Sequence, residues 1–396
     1  MRVFALLSLV GCLLMPLISR GQIGVFPRLD ALAASYIGRP QARGLSAAIL
    51  YNGTVHYAGY GRLSAKEDRA PNEHTIYEIG ALSGVFTTGM LAILESKGAL
   101  EPVTTIRQIL PEGLTVPIYT ATRLIAADSS SGRDPEKQVV CVPDPIAGAE
   151  EVTLCQLAYH SSGLKFPGKP LLDWHPLAPA TPPQRVAKDL ASGEALIGLA
   201  GKCTFEFPPG RQFGFSNMGI AYLGSLLAAY SREPYEQLLK KNITDPLEMT
   251  DTRAQLPAAL LERLAPGHDS RGRPVANWDF QAMMPAVGLK STTQDMMKLV
   301  QALVEPSPPF TENSALRIRQ GTVPTHLPGW PRPGSAALGW LISTDENNRA
   351  VVWMSGATAG YRAFAAFDPQ RKTGIVLLAN SAQDLTELGF AMLRAL

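Results

Sequence analysis

The chain has 396 residues, 18% of them charged, and a formal net charge of +2 at pH 7. That length holds two ordinary domains or one large composite domain with a full apolar core. With no basic stripe and no run of like charge, nucleic-acid binding and electrostatic attachment to a membrane surface find no support.

Residues 1–21 read as a secretory signal, with Arg2 as the basic start, an apolar run from Val3 to Ile18, and a small-residue exit at Ser19-Arg20-Gly21. Cleavage is expected before Gln22, leaving no transmembrane segment and a secreted or periplasmic protein. Leu9-Val10-Gly11-Cys12 also resembles a lipoprotein processing box, which makes lipidation at Cys12 an alternative, although the box comes early and more apolar residues follow it. A membrane anchor fits less well, because Pro16 interrupts a run that is already short.

Phe26 to Ile37 carries apolar residues at helical spacing. Leu45 to Tyr51 and Thr54 to Tyr60 are two apolar runs across Asn52-Gly53, a strong hairpin signal. An extended lead-in, Thr75 to Tyr77, then meets Gly80. A helical pattern follows through Val85, Phe86, Met90, Leu91, Ile93 and Leu94 and stops at Gly98, which suits a helix C-cap. Such an entry into a buried helix N-terminus favours a nucleophile, since free N–H groups and the helix dipole stabilise negative charge there. Residues 101–150, rich in Pro, Gly and Ser, read as loop and insertion rather than core.

Val152 to Leu164 reads as a short helix closing in the turn His160-Ser161-Ser162-Gly163. Phe207 to Asn217 is a Pro-Pro-Gly turn leading into a helix from Met218 to Tyr230, with Ser216 or Asn217 able to cap it. Pro285 to Thr292 is read as returning the chain to the sheet, and Thr293 to Leu303 as a helix. The tail holds three β-rich runs, Leu338 to Thr344, Ala350 to Ser355 and Tyr361 to Asn380 with a turn at Asp368 to Thr373, before a last helix from Asp384 to Leu396. Strands at both ends with helices between them predict an antiparallel sheet packed by terminal helices, plus an inserted helical region.

Beyond the signal the chain keeps Cys141, Cys155 and Cys203, so at most one bridge is expected, with Cys141–Cys155 the nearest candidate. No His flanks them at metal-site spacing, and neither a metal nor a cofactor is expected. Asn52-Gly53-Thr54 and Asn242-Ile243-Thr244 are glycosylation sequons, relevant only in a eukaryotic source.

The stretch Tyr77 to Leu100 resembles the active-site helix of penicillin-binding-protein-like serine hydrolases, which include class C β-lactamases, D-alanyl-D-alanine peptidases and related esterases. In that family it reads roughly F-x-I-G-S-x-x-K-x-F-T, with the Ser attacking a carbonyl and the Lys, one helical turn on, helping to remove its proton. Here the frame holds at Glu78-Ile79-Gly80 and Phe86-Thr87. The resemblance extends to the His160–Gly163 turn, to Tyr235–Thr252, and to essentially the whole chain after the signal. It implies a β-lactamase/transpeptidase-like fold, α/β plus all-α, with 22–100 and 285–396 forming the α/β part and 101–284 the helical part.

It also locates four chemical positions. Ala81 stands where the family has its Ser, Gly84 where it has the Lys, and Phe215 where it has the Tyr of a Tyr-x-Asn motif whose Asn survives as Asn217. In Trp353-Met354-Ser355-Gly356, Met354 occupies the place of a His or Lys that helps bind a substrate carboxylate or shape the oxyanion site. Removing a nucleophilic Ser from such an enzyme costs on the order of 10⁶ in turnover, about 8 kcal/mol. An Ala methyl forms no acyl intermediate, and a Phe ring moves no proton. What persists is shape: a cleft, the Asn217 amide, and backbone donors near Ala81 and the Gly356–Thr358 segment.

Each position also has a plainer reading. If the frame were misplaced, Ser83 would be the nucleophile. A Lys three residues on would then be Phe86, and two residues along a helix turn a side chain by ~200°, so a hydroxyl satisfying backbone suits Ser83 better. Phe215 and Met354 are equally suited to packing together. His160 reads as a turn residue or a recruited base, and Ser161 and Ser162 as turn formers. Ser216 reads as a helix cap or a polar group in the cleft, and Lys290 as facing the cleft or solvent. Four replaced positions on a kept frame read as a pseudoenzyme whose partners are a peptide or small molecule in the cleft, or another protein. Asn217, Ser216, Gly356, Thr358 and Ser83 are the candidate ligand-binding residues. The rivals are an active hydrolase with a relocated nucleophile (Ser83, Ser162 or Ser216) and a folded remnant without a ligand.

Overall fold

The computed structural model describes residues 22–64, 69–110, 112–120, 122–126, 139–143, 149–167, 192–325, 334–344 and 349–396. The expected signal segment, with Cys12, lies outside the described residues, and of Cys141 only the backbone is described.

Helix α1, Gln22–Ile37, leads into strands β1, Leu45–Tyr51, and β2, Thr54–Tyr60. Their register closes at Tyr51 opposite Thr54. Asn52 and Gly53 between them take φ of 49° and 74°, the left-handed pair that a two-residue hairpin turn requires and that Asn-Gly supplies without steric cost. A 3-10 turn, Gly80–Ser83, then runs directly into helix α2, Gly84–Ser96. Further on come α3, Asn217–Ser231, α4, Thr293–Val304, and α5, Glu312–Arg319. They are followed by strands β3, Val323–Thr325, β4, Gly334–Ala336, β5, Leu341–Thr344, β6, Ala350–Ala357, β7, Arg362–Asp368, and β8, Thr373–Ala379, and by helix α6, Thr386–Ala395.

Eight strands form one antiparallel sheet in the order β3-β4-β5-β6-β7-β8-β1-β2. N-terminal and C-terminal strands meet one strand in from the β2 edge, where Leu45 to Leu50 pair with Gly374 to Ala379. Every residue of β7 and β8 is buried, which is why their sequences run apolar without alternation: both faces are covered. On one face α1 and α6 pack together, and α6 lies over β7 and β8. There Trp353 stacks on Phe364, and Phe390 meets both rings edge-on with centroids 5.3 Å away. Each such pair contributes roughly 0.5–1.5 kcal/mol beyond its buried area. On the other face α4 covers β8 and β1, while the 3-10 turn lies on β6 with α2 and α3 behind it.

Several elements differ from the sequence expectation. Within 101–150 the chain does more than loop: Ile118–Thr120 pairs with Ala149–Glu151, Thr122–Ala126 pairs with Val139–Pro143, and Ile106 is fully buried. These ladders are too short for their pattern to stand out among Pro, Gly and Ser. The chain at Lys290–Ser291 does not rejoin the main sheet. It pairs with Tyr77–Glu78 in a separate two-stranded ladder. The edge strand β3 and its neighbour β4 escaped notice because each has three residues and β3 contains a Pro.

Among the described residues no helix is long and apolar enough to cross a membrane. Of the two sequons, Asn52 sits on the exposed hairpin turn, whereas Asn242 is buried and its amide donates to the Leu238 carbonyl at 2.9 Å.

Candidate functional site

The site is built where the 3-10 turn meets β6. Gly80 has φ +54°, and a Cβ there would lie 2.6 Å from both the nitrogen and the oxygen of Ala357. A Cβ on Gly356 would lie 1.9 Å from the Ile79 carbonyl oxygen. Turn and strand therefore touch backbone to backbone, and only glycine fits at either position. The Ile79 N–H donates to the Leu289 carbonyl at 3.1 Å. In return the Leu289 N–H donates to Ser83 Oγ at 3.0 Å, inside a fully buried site. This double bond to Leu289 fixes the height of the turn, and it gives Ser83 a structural task.

The first hydrogen bond of the turn runs from the Leu82 N–H to the Ile79 carbonyl, so the Ala81 N–H precedes the bonded donors of this helix start. On β6, Thr358 N–H bonds back to Tyr361, and the antiparallel alternation turns the Ala357 N–H away from β7, toward the turn. Two backbone donors thus flank the place of the Ala81 methyl, which is 7% exposed.

The Gly84 position is closed by α3, since a Cβ there would touch Ile220 Cγ2 at 3.3 Å. Helix α2 is pinned against that region by Thr87, whose Oγ1 donates to the Pro285 carbonyl at 2.6 Å and also lies 2.6 Å from the Tyr235 hydroxyl. Met354 shares the Gly356 face of β6 by the two-residue period and is 2% exposed, so it belongs to the core under the turn.

The opposite wall comes from two segments zipped together. The short helix Leu154–Ala158 is capped by Thr153 with Gln156 in a reciprocal capping box. It ends at His160, held at φ 53°. From there Leu164–Lys165 pairs with Thr204–Phe205, Gly210 N–H donates to Ser161 O and Gly214 N–H to His160 O, both at 2.7 Å. This clamp sets Phe215 against the His160 ring, with centroids 4.5 Å apart and planes tilted by 31°, and Phe213 meets the same ring edge-on. The Ser216 N–H donates to His160 Nδ1 at 3.1 Å, which puts the imidazole proton on Nε2. Burial holds the His160 pKa down at about 4, against a smaller opposing effect of that hydrogen bond. Ser216 Oγ caps α3 by accepting the Gly219 N–H at 3.0 Å, and Asn217 opens the helix, 3% exposed.

The candidate residues divide accordingly. Asn217, Ser216, Gly356 and Ala81 lie on the segments that wall the cleft. Thr358 is fully buried, its backbone is consumed by Tyr361 and Arg362, and its hydroxyl has no hydrogen-bond partner. Lys290 takes neither expected orientation: it is half-buried and its Nζ donates to the Ala254 carbonyl at 3.0 Å. Ser162 Oγ accepts the Leu164 N–H at 3.3 Å. Cys155 carries a free thiol, so the Cys141–Cys155 bridge is not formed. Its sulfur lies 3.1 Å from Glu95 Oε1 and 3.1 Å from an Arg317 nitrogen, and burial pushes its pKa up to about 12, so it stays protonated. Arg317 also forms an ion pair with Glu95. These partners lie too far apart in the chain for spacing to reveal them. Ala357 and Leu289, which shape the turn, were missed because both act through backbone atoms. Among the described residues no group of three or more His, Cys, Asp or Glu is placed to hold a metal ion.

Comparison with known proteins agrees with this architecture. The sequence model of the Beta-lactamase family matches residues 29–393. A beta-lactamase of Lysobacter lactamgenus is 24% identical over 389 residues, covering 89% of this chain and 86% of that protein. The human protein "Putative beta-lactamase-like 1" is 24% identical over 367 residues, covering 89% of this chain and 64% of its own length. Among solved structures, a class C beta lactamase superposes with a TM-score of 0.73 at 18% identity, covering 96% of this chain and all 100% of its own. A beta-lactamase/D-alanine carboxypeptidase from Pseudomonas syringae gives 0.69 at 18% identity, covering 93% and 99%.

Proposed function

The chain belongs to the beta-lactamase family, and from that premise we propose that it is a non-catalytic member, secreted or periplasmic, which keeps the serine-hydrolase cleft as a binding site. The single observation that carries this reading is the residue on the backbone-clamped turn: Ala81, whose methyl attacks nothing.

The rest of the site supports it. Ser83, Ser162 and Ser216, the candidate relocated nucleophiles, each accept a backbone N–H, from Leu289, Leu164 and Gly219 respectively. The His160 imidazole gives its Nδ1 lone pair to the Ser216 N–H, which leaves that nitrogen unavailable as a base. The ligand is peptide-like, or a segment of a protein partner, laid against the Ala81 and Ala357 N–H groups and the Asn217 amide.

Two measurements test the reading together. Nitrocefin and p-nitrophenyl acetate incubated with the purified protein are expected to react at the rate of buffer alone. A short peptide ligand is expected to raise the melting temperature, since only a binder of the native state does so. Saturable hydrolysis that follows the protein through purification would overturn it.

A further inference from the structure

The two edges of the eight-stranded sheet differ. At one, β3 has three residues and contains Pro324, both of which discourage further pairing. At the other, β2 runs for seven residues, Thr-Val-His-Tyr-Ala-Gly-Tyr, without a Pro or a charged side chain of the Lys, Arg, Asp or Glu type. Tyr51 and Thr54 flank the two-residue turn and close the hairpin as a hydrogen-bonded pair. The alternation of an antiparallel ladder then turns the N–H and C=O of His56, Ala58 and Tyr60 toward β1, and those of Val55, Tyr57 and Gly59 outward. Among the described residues no backbone group from outside β2 bonds to those three. Beside them Tyr57 is 38% exposed, a large apolar side chain left at the surface.

We propose that β2 is a self-association edge, on which the β2 of a second copy pairs antiparallel about a twofold axis through Tyr57. The strand is complementary to itself in that register. Val55 comes opposite Gly59, His56 opposite Ala58, Thr54 opposite Tyr60, and Tyr57 opposite its own image. Small residues thus face larger ones, and the outward N–H and C=O groups of both strands find partners in one another. A twofold contact sets its central residue against itself. Like charges directly opposite would destabilise such a pair, whereas two aromatic rings stabilise it. The carboxylates that act on the Tyr57 hydroxyl, Glu73 and Asp295, each have a basic group beside them, His74 at 3.6 Å and Lys298 at 3.7 Å. The net charge of +2 adds little repulsion between copies. At Gly59 a Cβ would lie 1.8 Å from the Pro71 carbonyl oxygen, so that backbone fills the place of a side chain and the facing Val55 packs beside it rather than across a gap. A contact made by one ladder is small beside a permanent dimer interface, and association in the micromolar range is expected.

The test is sedimentation velocity on the purified protein from about 1 μM to about 300 μM, beside the variants Tyr57→Lys and Tyr57→Glu. Both substitutions fall on a partly exposed side chain, and thermal melts check that each variant is folded. The parent is expected to pass from monomer to dimer across that range. Either variant alone sets like charges against each other at the axis, and its dimer dissociation constant is expected to rise at least about tenfold. An equimolar mixture of the two sets Lys against Glu and is expected to recover the dimer, which damage to the fold would not allow. Tyr57→Cys gives a second readout. Directly opposed residues of paired strands lie within disulfide reach, so mild oxidation is expected to give a covalent dimer on a non-reducing gel beyond any that the parent forms. A parent that stays monomeric throughout overturns the proposal and leaves the edge to an extended peptide from another protein. A dimer that persists in both charged variants overturns it as well, because the contact then lies elsewhere, and so does a mixture that stays monomeric.

Discussion

The candidate site contains two sets of residues that differ in kind. One set works through its backbone: Gly80 and Gly356, pressed onto the opposite chain, and Ser83 tied to Leu289. The other set, Ala81, Gly84, Phe215 and Met354, occupies the positions that the proposed reading equates with the chemical groups of a serine hydrolase. The first set holds the turn against β6 through backbone contacts, while the second is a methyl, a hydrogen, a phenyl ring and a thioether. The contrast teaches that the backbone clamp is required by folding itself: β6, the turn and α2 cannot pack in this arrangement unless the two glycines are there. The side chains above the clamp carry no such obligation, so the fold persists when they change.

Substitutions at two glycines within a few residues of the same turn give the sharpest test of that distinction. Gly356→Ala puts a methyl into the Ile79 carbonyl oxygen. It is expected to cost more than about 4 kcal/mol or to prevent folding, as judged by urea denaturation. Stability close to that of the parent would break the comparison.

The next largest effect is a dependence on pH set by the wall rather than the floor. The usual His pKa of 6.5 falls to about 4 at His160 because the ring is buried. Between these values the unfolded chain carries a proton there that the folded chain does not. Stability contributed by this site is therefore full above pH 6.5 and declines as the pH falls toward 4, by roughly 3 kcal/mol in all. Thermal melts across that range are expected to show the decline. His160→Asn, which accepts the left-handed backbone, is expected to flatten it.

These expectations mark how far the sequence was legible. The hairpin at Asn52-Gly53, the glycine-to-helix entry at Gly80 and the order of the motifs were readable, because each is a local pattern with a local cause. What was not readable depends on partners distant in the chain. Nothing near Lys290 tells that its Nζ ends on the Ala254 carbonyl, and nothing near Cys155 announces Glu95 and Arg317. Nor does the sequence say that Ser83 is spoken for by a backbone donor 206 residues away.

Smaller effects sharpen the account further. Ser83→Ala leaves the buried Leu289 N–H without an acceptor and is expected to cost about 2 kcal/mol. It should leave ligand binding and the absence of hydrolysis unchanged, and both can be read on the same preparation. A Ser83 that served as nucleophile would instead take some measurable activity with it. Gly84→Ala is expected to shift stability by less than about 1 kcal/mol, since the helix propensity gained at the start of α2 offsets a tight contact with Ile220. Its mildness beside Gly356→Ala would show that Gly84 is an empty chemical position and not part of the clamp.

The measurement that tests the central claim most directly is the intact mass of the purified protein after exposure to a β-lactam and to a fluorophosphonate. The comparison sample is a variant carrying Ala81→Ser, Gly84→Lys, Phe215→Tyr and Met354→His. The account predicts an unchanged mass for the parent chain with both reagents, and labelling of the variant at position 81 if Ile220 and the core under β6 make room for the longer side chains. A stable adduct on the parent, mapped to Ser83, Ser162 or Ser216, would contradict it and name the nucleophile of an active hydrolase.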